Sequence, residues 1–311
     1  MIGAVDVGGT KIVVGVADQD GRLLAQDRFA TLPERGPNVV IGEVIAMLNA
    51  LARGQGEALT AVGVGCVGPL DLPNGAIMNP PNFPGWSYVP LRQPLEKALG
   101  VPVRLDNDAN AAALAEYRLG AGRGAEIMVY TTISTGIGGG IVVDGRLLHG
   151  VGGGAGEFGH QTIRADGPRC GCGNRGCLEV LASGTAIVAA AKRAIADGRG
   201  AGILEQAGPA GLHAGHVAHA AAAGDAAAVE IWGQAVEALA IGLGNVVTTL
   251  APDRLVLGGG VAQTGDLLLL PLREALARHV RMVPVDRVDI RIAEHVAEAG
   301  IYGAIAVGLQ A

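Results

Sequence analysis

The chain has 311 residues, and its 51 Gly and 52 Ala together make up about a third of it. Its 29 acidic and 23 basic side chains give a formal net charge of −6, which argues against a nucleic-acid partner because phosphates demand a basic face. No uninterrupted apolar run approaches the ~20 residues needed to cross a bilayer, and no basic segment precedes Asp6 as in a signal peptide. We therefore expect a soluble, cytoplasmic protein with no membrane partner, and the length predicts two domains.

Segments with the apolar periods of strands and helices alternate along the chain, which predicts an α/β fold. Residues 2–17 have apolar runs on both sides of a Gly-Gly-Thr break, a pattern typical of strand, tight turn and strand. The pattern returns at 127–143 around a Gly-rich break at 134–140, which indicates an internal duplication and two related domains. The other predicted elements are helices at 39–52, 91–99, 111–119, 225–250 and 300–309 and strands at 61–67, 101–105, 254–257 and 288–292.

Three Gly-rich turns, each after a predicted strand, are suited to binding phosphate through backbone N–H groups. The first is Asp6-Val7-Gly8-Gly9-Thr10-Lys11, whose carboxylate suits the waters of Mg²⁺. The second is the break at 134–140, and the third is Gly258-Gly259-Gly260. A plain hairpin with an exposed Asp is the alternative for the first turn. Two Gly-x-Gly-x-x-Gly matches, at 63–68 and 154–159, lack the strand–turn–helix context of a dinucleotide site.

Three of the four cysteines, Cys170, Cys172 and Cys177, lie on one Gly-rich segment, and His160 lies ten residues upstream of the first. This set of ligands predicts a Cys₃His zinc site. Four protein ligands leave no position for water, so the zinc would be structural. Three buried free thiols are the alternative, which the intervening Gly, Asn and Arg disfavour because they are poor core residues.

Carboxylates and amides recur beside these motifs in a combination suited to hydrogen-bonding a polyol. Asp106, Asn107 and Asp108 follow a predicted strand, and Glu157 and Glu179 flank the zinc motif. An Asp near a primary hydroxyl also suits a general base for attack on a γ-phosphate. The structural alternative is that Asp106 or Asp108 caps the following helix.

Two groups of rings have both a functional and a structural interpretation. His213, His216 and His219 share a helix face, and we interpret them as a solvated face because no Cys or carboxylate lies near them in sequence. Phe83 and Trp86, in a Pro-rich loop, would either stack on a sugar ring or anchor the loop.

Together these motifs resemble those of the ROK family of sugar kinases and repressors, within the actin-like ATPase superfamily. The resemblance spans essentially the whole chain and implies two actin-like (ribonuclease H-like) α/β lobes with an interlobe cleft and a structural zinc loop. We expect the lobes at 1–118 plus 297–311 and at 119–296. The motifs that carry the resemblance are Asp6 to Lys11, Asn107-Asp108-Ala109-Asn110, Gly136 to Gly140, Glu157-Phe158-Gly159-His160 and Cys170 to Glu179.

The resemblance also implies a role for each site residue. Asp108 would be the general base toward the sugar 6-hydroxyl, His160 would both ligate structural Zn²⁺ and touch the sugar, and Asp6 would support catalytic Mg²⁺. The other implied sugar ligands are Gly68, Asn82, Asn107, Glu157 and Glu179. The implied ATP ligands are Gly8, Gly9, Thr10, Lys11, Thr135 and Gly136 at the phosphates and Gly258 and Gly259 at the adenosine side.

Within the family, the loop at 79–86 resembles the glucokinase branch, which carries an Asn-x-Pro-x-Trp-like segment. The first strand begins at residue 2, so we expect no helix-turn-helix of the kind that repressors carry, and the intact cysteine motif favours ATP over polyphosphate. The resemblance therefore implies an ATP-dependent glucokinase of glycolysis, as a homodimer or homotetramer. The alternatives are an N-acetylmannosamine kinase, a fructokinase, or a sugar-sensing regulator without catalysis.

Overall fold

The computed structural model describes residues 1–80, 83–207 and 211–311, which form two compact units. Unit 1 comprises Met1–Arg123, Leu147–Ala155 and Ala297–Ala311, and unit 2 comprises Gly124–Arg146 and Gly156–Val296. These units differ from the expected lobes mainly at Leu147–Ala155, which packs with unit 1. The lobe boundaries themselves stay a prediction.

Strands and helices alternate as the apolar pattern predicts. In chain order, the strands are β1 (Ile2–Val7), β2 (Lys11–Ala17), β3 (Leu23–Ala30), β4 (Ala61–Cys66), β5 (Leu70–Asp71), β6 (Ala76–Met78), β7 (Tyr88–Pro90), β8 (Val103–Asn107), β9 (Ile127–Ile133), β10 (Ile137–Val143), β11 (Arg146–Leu147), β12 (Arg254–Gly258) and β13 (Asp289–Ile292). The helices are α1 (Pro37–Gln55), α2 (Arg92–Leu99), α3 (Asp108–Leu119), α4 (Leu178–Ala182), α5 (Gly184–Ala196), α6 (Ala201–Gln206), α7 (Ala214–Ala222), α8 (Ala226–Leu250), α9 (Gly259–Ala262), α10 (Asp266–His279) and α11 (Ala299–Gly308). Short 3₁₀ turns lie at Pro33–Arg35, Val151–Gly153, Phe158–His160 and Val285–Arg287.

Two five-stranded sheets repeat one topology, which confirms the duplication that the sequence indicates. Their strand orders are β3-β2-β1-β4-β8 and β11-β10-β9-β12-β13. In the first, β1 pairs antiparallel with β2 and parallel with β4, and β4 pairs parallel with β8. In the second, β9 pairs antiparallel with β10 and parallel with β12. Because parallel strands end at one edge of a sheet, the turns that follow β1, β4 and β8 lie together in unit 1.

The Gly-rich break at 134–140 is shorter than predicted. The turn covers only Ser134, Thr135 and Gly136, and β10 begins at Ile137 and includes the next three glycines. The strand requires glycine at position 139, because a Cβ there would collide with the Phe158 ring. The ring, which belongs to the following 3₁₀ turn, therefore packs directly on the strand backbone.

The high Ala and Gly content is explained in unit 1 by the close approach of backbones. Helix α11 packs on β4 and on the Ala-rich α3. A Cβ at Gly63 of β4 would collide with the Ala304 carbonyl, and one at Gly303 would lie 2.9 Å from the Ala111 carbonyl carbon. Larger residues at these positions would force α11 away from the sheet, so the small residues set the distance between these layers.

Helix α8 is the central helix of unit 2. It has 25 residues, and its most apolar 18-residue window has a mean hydropathy of 1.3, which is enough by length and composition to cross a membrane. The sequence analysis did not predict such a segment, because polar residues interrupt its apolar runs. Its packing accounts for that composition, because it contacts α4, α5, α7 and α10 and 56% of its most apolar window is buried. Trp232 fixes one of these contacts by donating its indole N–H to the Leu267 carbonyl at 2.9 Å.

The two aromatic residues of the Pro-rich loop anchor that loop. Phe83 and Trp86 stack with their ring centroids 4.9 Å apart, and both side chains are buried. The Trp86 indole N–H donates to the Pro33 carbonyl at 3.0 Å. The structure thus supports the structural interpretation of these rings. Asn82, an expected sugar ligand in the same loop, lies outside the described residues.

Candidate active site

The turn between β1 and β2, which carries the first predicted phosphate-binding motif, is a tight hairpin. The N–H of Gly8 donates to the Lys11 carbonyl at 3.1 Å, while Thr10 and Lys11 are exposed at the tip. Thr31 holds this turn from the end of β3, since its hydroxyl donates to the Gly8 carbonyl at 2.7 Å and its N–H donates to the Thr10 carbonyl at 3.1 Å. The sequence analysis missed Thr31 because no motif marks it.

Asp6 places a mostly buried carboxylate at the start of this turn. Burial and the nearby Asp108 carboxylate raise the pKa of Asp6 to about 6, while Lys11 opposes that rise. Helix α11 begins beside it, and a Cβ at Gly300 would collide with the Asp6 carboxylate. Two neighbouring carboxylates, one of them mostly buried, favour a bound cation, which makes the site suited to Mg²⁺.

Asp108 is the first residue of α3, and Asn107 is its N-cap. Asn107 has extended backbone angles, and its side-chain oxygen accepts a hydrogen bond from the Ala109 N–H at 2.9 Å. The alternative that Asp106 or Asp108 caps the helix is therefore wrong, because Asn107 occupies that position. Asp108 is exposed at the helix start. Gly68 lies behind Asn107, where an added Cβ would be 3.6 Å from the Asn107 side-chain nitrogen.

Asp106 differs from Asn107 and Asp108, because its carboxylate is buried and both of its oxygens have hydrogen-bond partners. Its Oδ1 accepts from the Asn107 N–H at 2.9 Å and from the Asn110 amide at 3.0 Å. Its Oδ2 lies 2.7 Å from His149 Nε2, and this hydrogen bond raises the pKa of His149. Sequence reasoning missed His149, which is 43 residues from its partner.

In unit 2, the two ring nitrogens of His160 face different partners. Nδ1 lies 3.6 Å from Cys170 Sγ, and Nε2 lies 3.9 Å from the Glu157 carboxylate. Both residues are held by the 3₁₀ turn at Phe158–His160, which packs on β10. One ring thus carries a metal-facing nitrogen and a second nitrogen directed toward an exposed carboxylate.

The predicted zinc ligands converge. One ligand atom each from His160, Cys170, Cys172 and Cys177 lies within 4.8 Å of the others. The Cys172 and Cys177 sulfurs are 3.7 Å apart, close to the ~3.8 Å edge of a tetrahedron with Zn–S bonds of about 2.3 Å. Gly173 and Gly176 have positive φ, which lets the chain turn tightly around the cluster. The donor set and its spacing fit structural zinc.

Glu179 connects this region to the turn at 134–136. Its Oε2 accepts a hydrogen bond from the Ile137 N–H at 2.9 Å, and a Cβ at Gly136 would collide with the same oxygen. The Ser134 carbonyl accepts from the Gly184 N–H at 2.7 Å at the start of α5. The turn that carries Thr135 and Gly136 is therefore fixed on two sides.

A cavity of about 670 Å³ in unit 2 adjoins that turn. Its size is suited to a nucleoside. Of the Gly-rich turn after β12, Gly260 lines the cavity, while Gly258 and Gly259, the latter with φ +81°, precede it in the chain and do not line the cavity. Among the lining residues that sequence reasoning did not single out are Thr185, Lys192 and Gln263.

The histidine group lies partly at this cavity. His213 precedes α7 as its N-cap, and its ring stacks on that of His216 with centroids 3.4 Å apart. His213 and His219 are exposed and line the cavity, whereas His216 is half-buried. The expected solvated helix face therefore describes His219 but not the capping position of His213.

The sequence model of the ROK family matches residues 2–311. The chain belongs to the ROK family. A glucokinase from Thermotoga maritima is 38% identical over 304 residues, which cover 97% of this chain and 95% of that protein. The alignment therefore spans nearly the whole chain.

Solved ROK structures match the whole fold. The ROK hexokinase from Thermus thermophilus has a TM-score of 0.85 and 39% identity, covering 99% of this chain and 98% of that one. The ROK glucokinase from Streptomyces griseus in complex with glucose and AMPPNP has a TM-score of 0.80 and 35% identity, covering 100% and 99%. The expected α/β fold of ROK kinases is confirmed.

Proposed function

We propose that this chain is an ATP-dependent glucokinase, which transfers the γ-phosphoryl group of ATP to the 6-hydroxyl of glucose. The observation that carries the proposal is the exposed Asp108 at the start of α3, at the same sheet edge as the phosphate turn that follows β1. The glucose and AMPPNP bound by the Streptomyces griseus relative support this choice of substrates.

Asp108 is the proposed general base. An exposed carboxylate at a helix start is accessible to a hydroxyl, and it accepts the proton as the hydroxyl oxygen attacks the γ-phosphorus. Asn107 is fixed by its capping bond, so its amide is oriented for a sugar hydroxyl. Gly68 leaves room beside it, and Asn82 keeps its proposed sugar-binding role from the family resemblance alone.

The remaining proposed sugar ligands belong to unit 2. Glu157 and the Nε2 atom of His160 form a neighbouring acceptor and donor, the combination that a pair of sugar hydroxyls requires. Glu179 has one oxygen on the Ile137 N–H, and we assign the other to the sugar.

For ATP, the backbone of Gly8, Gly9, Thr10 and Lys11 and that of Thr135 and Gly136 are the proposed phosphate ligands. Gly258 and Gly259 directly precede Gly260, which lines the 670 Å³ cavity that we assign to the adenosine. Asp6 is the proposed Mg²⁺ support. Bound Mg²⁺ neutralises charge on the phosphates, and the residues of this chain orient the acceptor and remove its proton.

Zinc has a structural role in this proposal. The Cys₃His set uses all four positions of a tetrahedral ion, so no water is activated there. His160 would ligate zinc through Nδ1, which would fix the orientation of its imidazole and leave Nε2 beside Glu157. From the family resemblance we further propose a cytoplasmic enzyme of glycolysis that forms a homodimer or homotetramer.

The test is a comparison of kcat/KM for glucose, N-acetylmannosamine and fructose with purified protein, ATP and Mg²⁺. The proposal predicts the highest value for glucose. A higher value for either other sugar would replace the assigned substrate, and sugar binding without phosphoryl transfer would make the chain a sugar-sensing protein.

A further inference from the structure

The Asp106 carboxylate joins three segments of unit 1 at the start of α3. It accepts from the backbone of Asn107, from the side chain of Asn110 and from the ring of His149, at distances between 2.7 and 3.0 Å. Only 6% of Asp106 is exposed, so these three contacts account for its buried carboxylate.

Two of these bonds bracket Asp108. One holds the peptide N–H of Asn107, immediately before it, and the other holds Asn110, two residues after it and within the first helical turn. The Asp108 carboxylate itself accepts from the Ala109 N–H at 2.8 Å, as the Asn107 cap does at 2.9 Å. The Asp106 carboxylate holds the residues on both sides of Asp108, so it contributes to the direction in which Asp108 leaves the helix start.

His149 supplies the third bond from a segment that is itself anchored. The His149 carbonyl accepts from the Ala155 N–H at 2.9 Å, and Leu147 packs against Ala and Leu side chains of α3 and α11. Without the ring, a buried carboxylate oxygen would lose its donor, which costs about 1–3 kcal/mol or more for a charged group unless the side chain rotates. Rotation of Asp106 would release Asn107 or Asn110.

We propose that His149 is a positioning residue for the phosphoryl-transfer reaction: through Asp106 it holds the start of α3 so that Asp108 meets the sugar hydroxyl. The inference rests on the proposed function, in which Asp108 is the general base. The ring also faces a cavity of about 860 Å³, whose other charged lining residues are Asp71, Arg92, Glu96 and Arg104.

Three variants of His149 test the bond itself. His149→Gln carries an amide that reaches Asp106, His149→Asn carries the same amide one methylene shorter, and His149→Ala removes the donor. We expect kcat to fall by about tenfold or more in the Asn and Ala variants, because a displacement of ~1 Å at a reacting group costs up to about 100-fold. The KM for ATP should stay within about twofold of wild type, and Gln should restore most of kcat.

The matched control is His279→Ala. His279 forms a similar pair with Glu237, at 2.6 Å, on a surface of α8 and α10 that carries no proposed site residue. We expect its kcat to equal that of wild type. If His149→Ala does not fold, the Gln and Asn variants still test the positioning role, since they differ by only one methylene group.

Failure of this inference is distinguishable from failure of the proposed function. If wild type phosphorylates glucose and Asp108→Asn does not, but His149→Asn has wild-type kcat, only the positioning role is overturned. If wild type lacks the activity, or Asp108→Asn retains it, the proposed function fails first. Equal losses of kcat in the Gln and Asn variants would also contradict positioning by this hydrogen bond.

Discussion

The carboxylate of Glu179 accepts a hydrogen bond from the backbone N–H of Ile137 at 2.9 Å, which joins a proposed sugar ligand to the turn proposed to hold the ATP phosphates. Loss of this side chain should therefore affect both substrates. The two effects are separable, because one oxygen is assigned to each partner.

We predict that Glu179→Ala raises the KM for glucose and for ATP by about tenfold each, the size expected for losing a hydrogen bond to a charged group. Glu179→Gln keeps an oxygen for the Ile137 N–H, so its KM for ATP should stay near wild type while that for glucose rises. Steady-state kinetics with each substrate varied measures both. Glu274→Ala, at an exposed position of α10, serves as the control. An unchanged KM for ATP in Glu179→Ala would contradict the coupling.

The zinc cluster should stabilise the fold of unit 2. Purified protein should contain about one zinc per chain, and Cys172→Ser should lower both the zinc content and the melting temperature. Cys66→Ala is the matched control, because Cys66 is a buried thiol on β4 outside the cluster. Elemental analysis and thermal unfolding measure the two quantities. Metal-free wild type with an unchanged melting temperature would rule out a structural zinc.

Asp6 should lower stability at neutral pH, because burial raises its pKa from 3.8 to about 6. Between these values the folded state binds the proton more tightly than the unfolded state, so the stability contributed by this group falls as pH rises and stays low above pH 6. Asp6→Asn should therefore raise the free energy of unfolding at pH 7.5 by about 1–3 kcal/mol, with little change at pH 4. It should also lose the Mg²⁺-dependent activity.

Denaturant unfolding at the two pH values measures this effect. Asp20→Asn, on an exposed turn, is the control and should show no such pH-dependent difference. If Asp6→Asn is less stable than wild type at pH 7.5, the prediction is contradicted, because the fold would then stabilise the ionised Asp6 carboxylate without a cation.

His149 changes stability with pH in the same direction as Asp6, but here it is the charged form that stabilises the fold. Its hydrogen bond to Asp106 raises its pKa above 6.5, so its charge stabilises the fold fully below that value and loses this effect as pH rises through the folded pKa. His149→Ala should therefore destabilise the protein more at pH 6 than at pH 9. The urea midpoints of wild type and His149→Ala at pH 6 and pH 9 measure this destabilisation. An equal difference between the two proteins at both pH values would contradict the prediction.

Local signals predicted the parts of the site that lie on single segments. The Gly-Gly-Thr break predicted the β1–β2 turn, and the cysteine spacing predicted the cluster of zinc ligands. The apolar run at 61–67 predicted β4 to within one residue. Each depends on neighbours in sequence, so periodicity and motif spacing suffice.

Contacts between distant segments were not predictable in this way. His149 and Asp106 are 43 residues apart, and Ile137 and Glu179 are 42 apart, so no local pattern relates them. The alternative that Asp106 or Asp108 caps α3 failed for a different reason: Asp106, Asn107 and Asp108 are all good capping residues, and the buried partners of Asp106 leave the cap to Asn107.

The most direct test of the central claim is the kcat of Asp108→Asn with glucose, ATP and Mg²⁺. Removal of a general base predicts a fall in kcat by about 10²–10⁴-fold, with circular dichroism and melting temperature like those of wild type. The amide is close in size to the carboxylate, so the helix start should be preserved. A kcat within a few-fold of wild type would show that Asp108 does not remove the proton from the sugar hydroxyl.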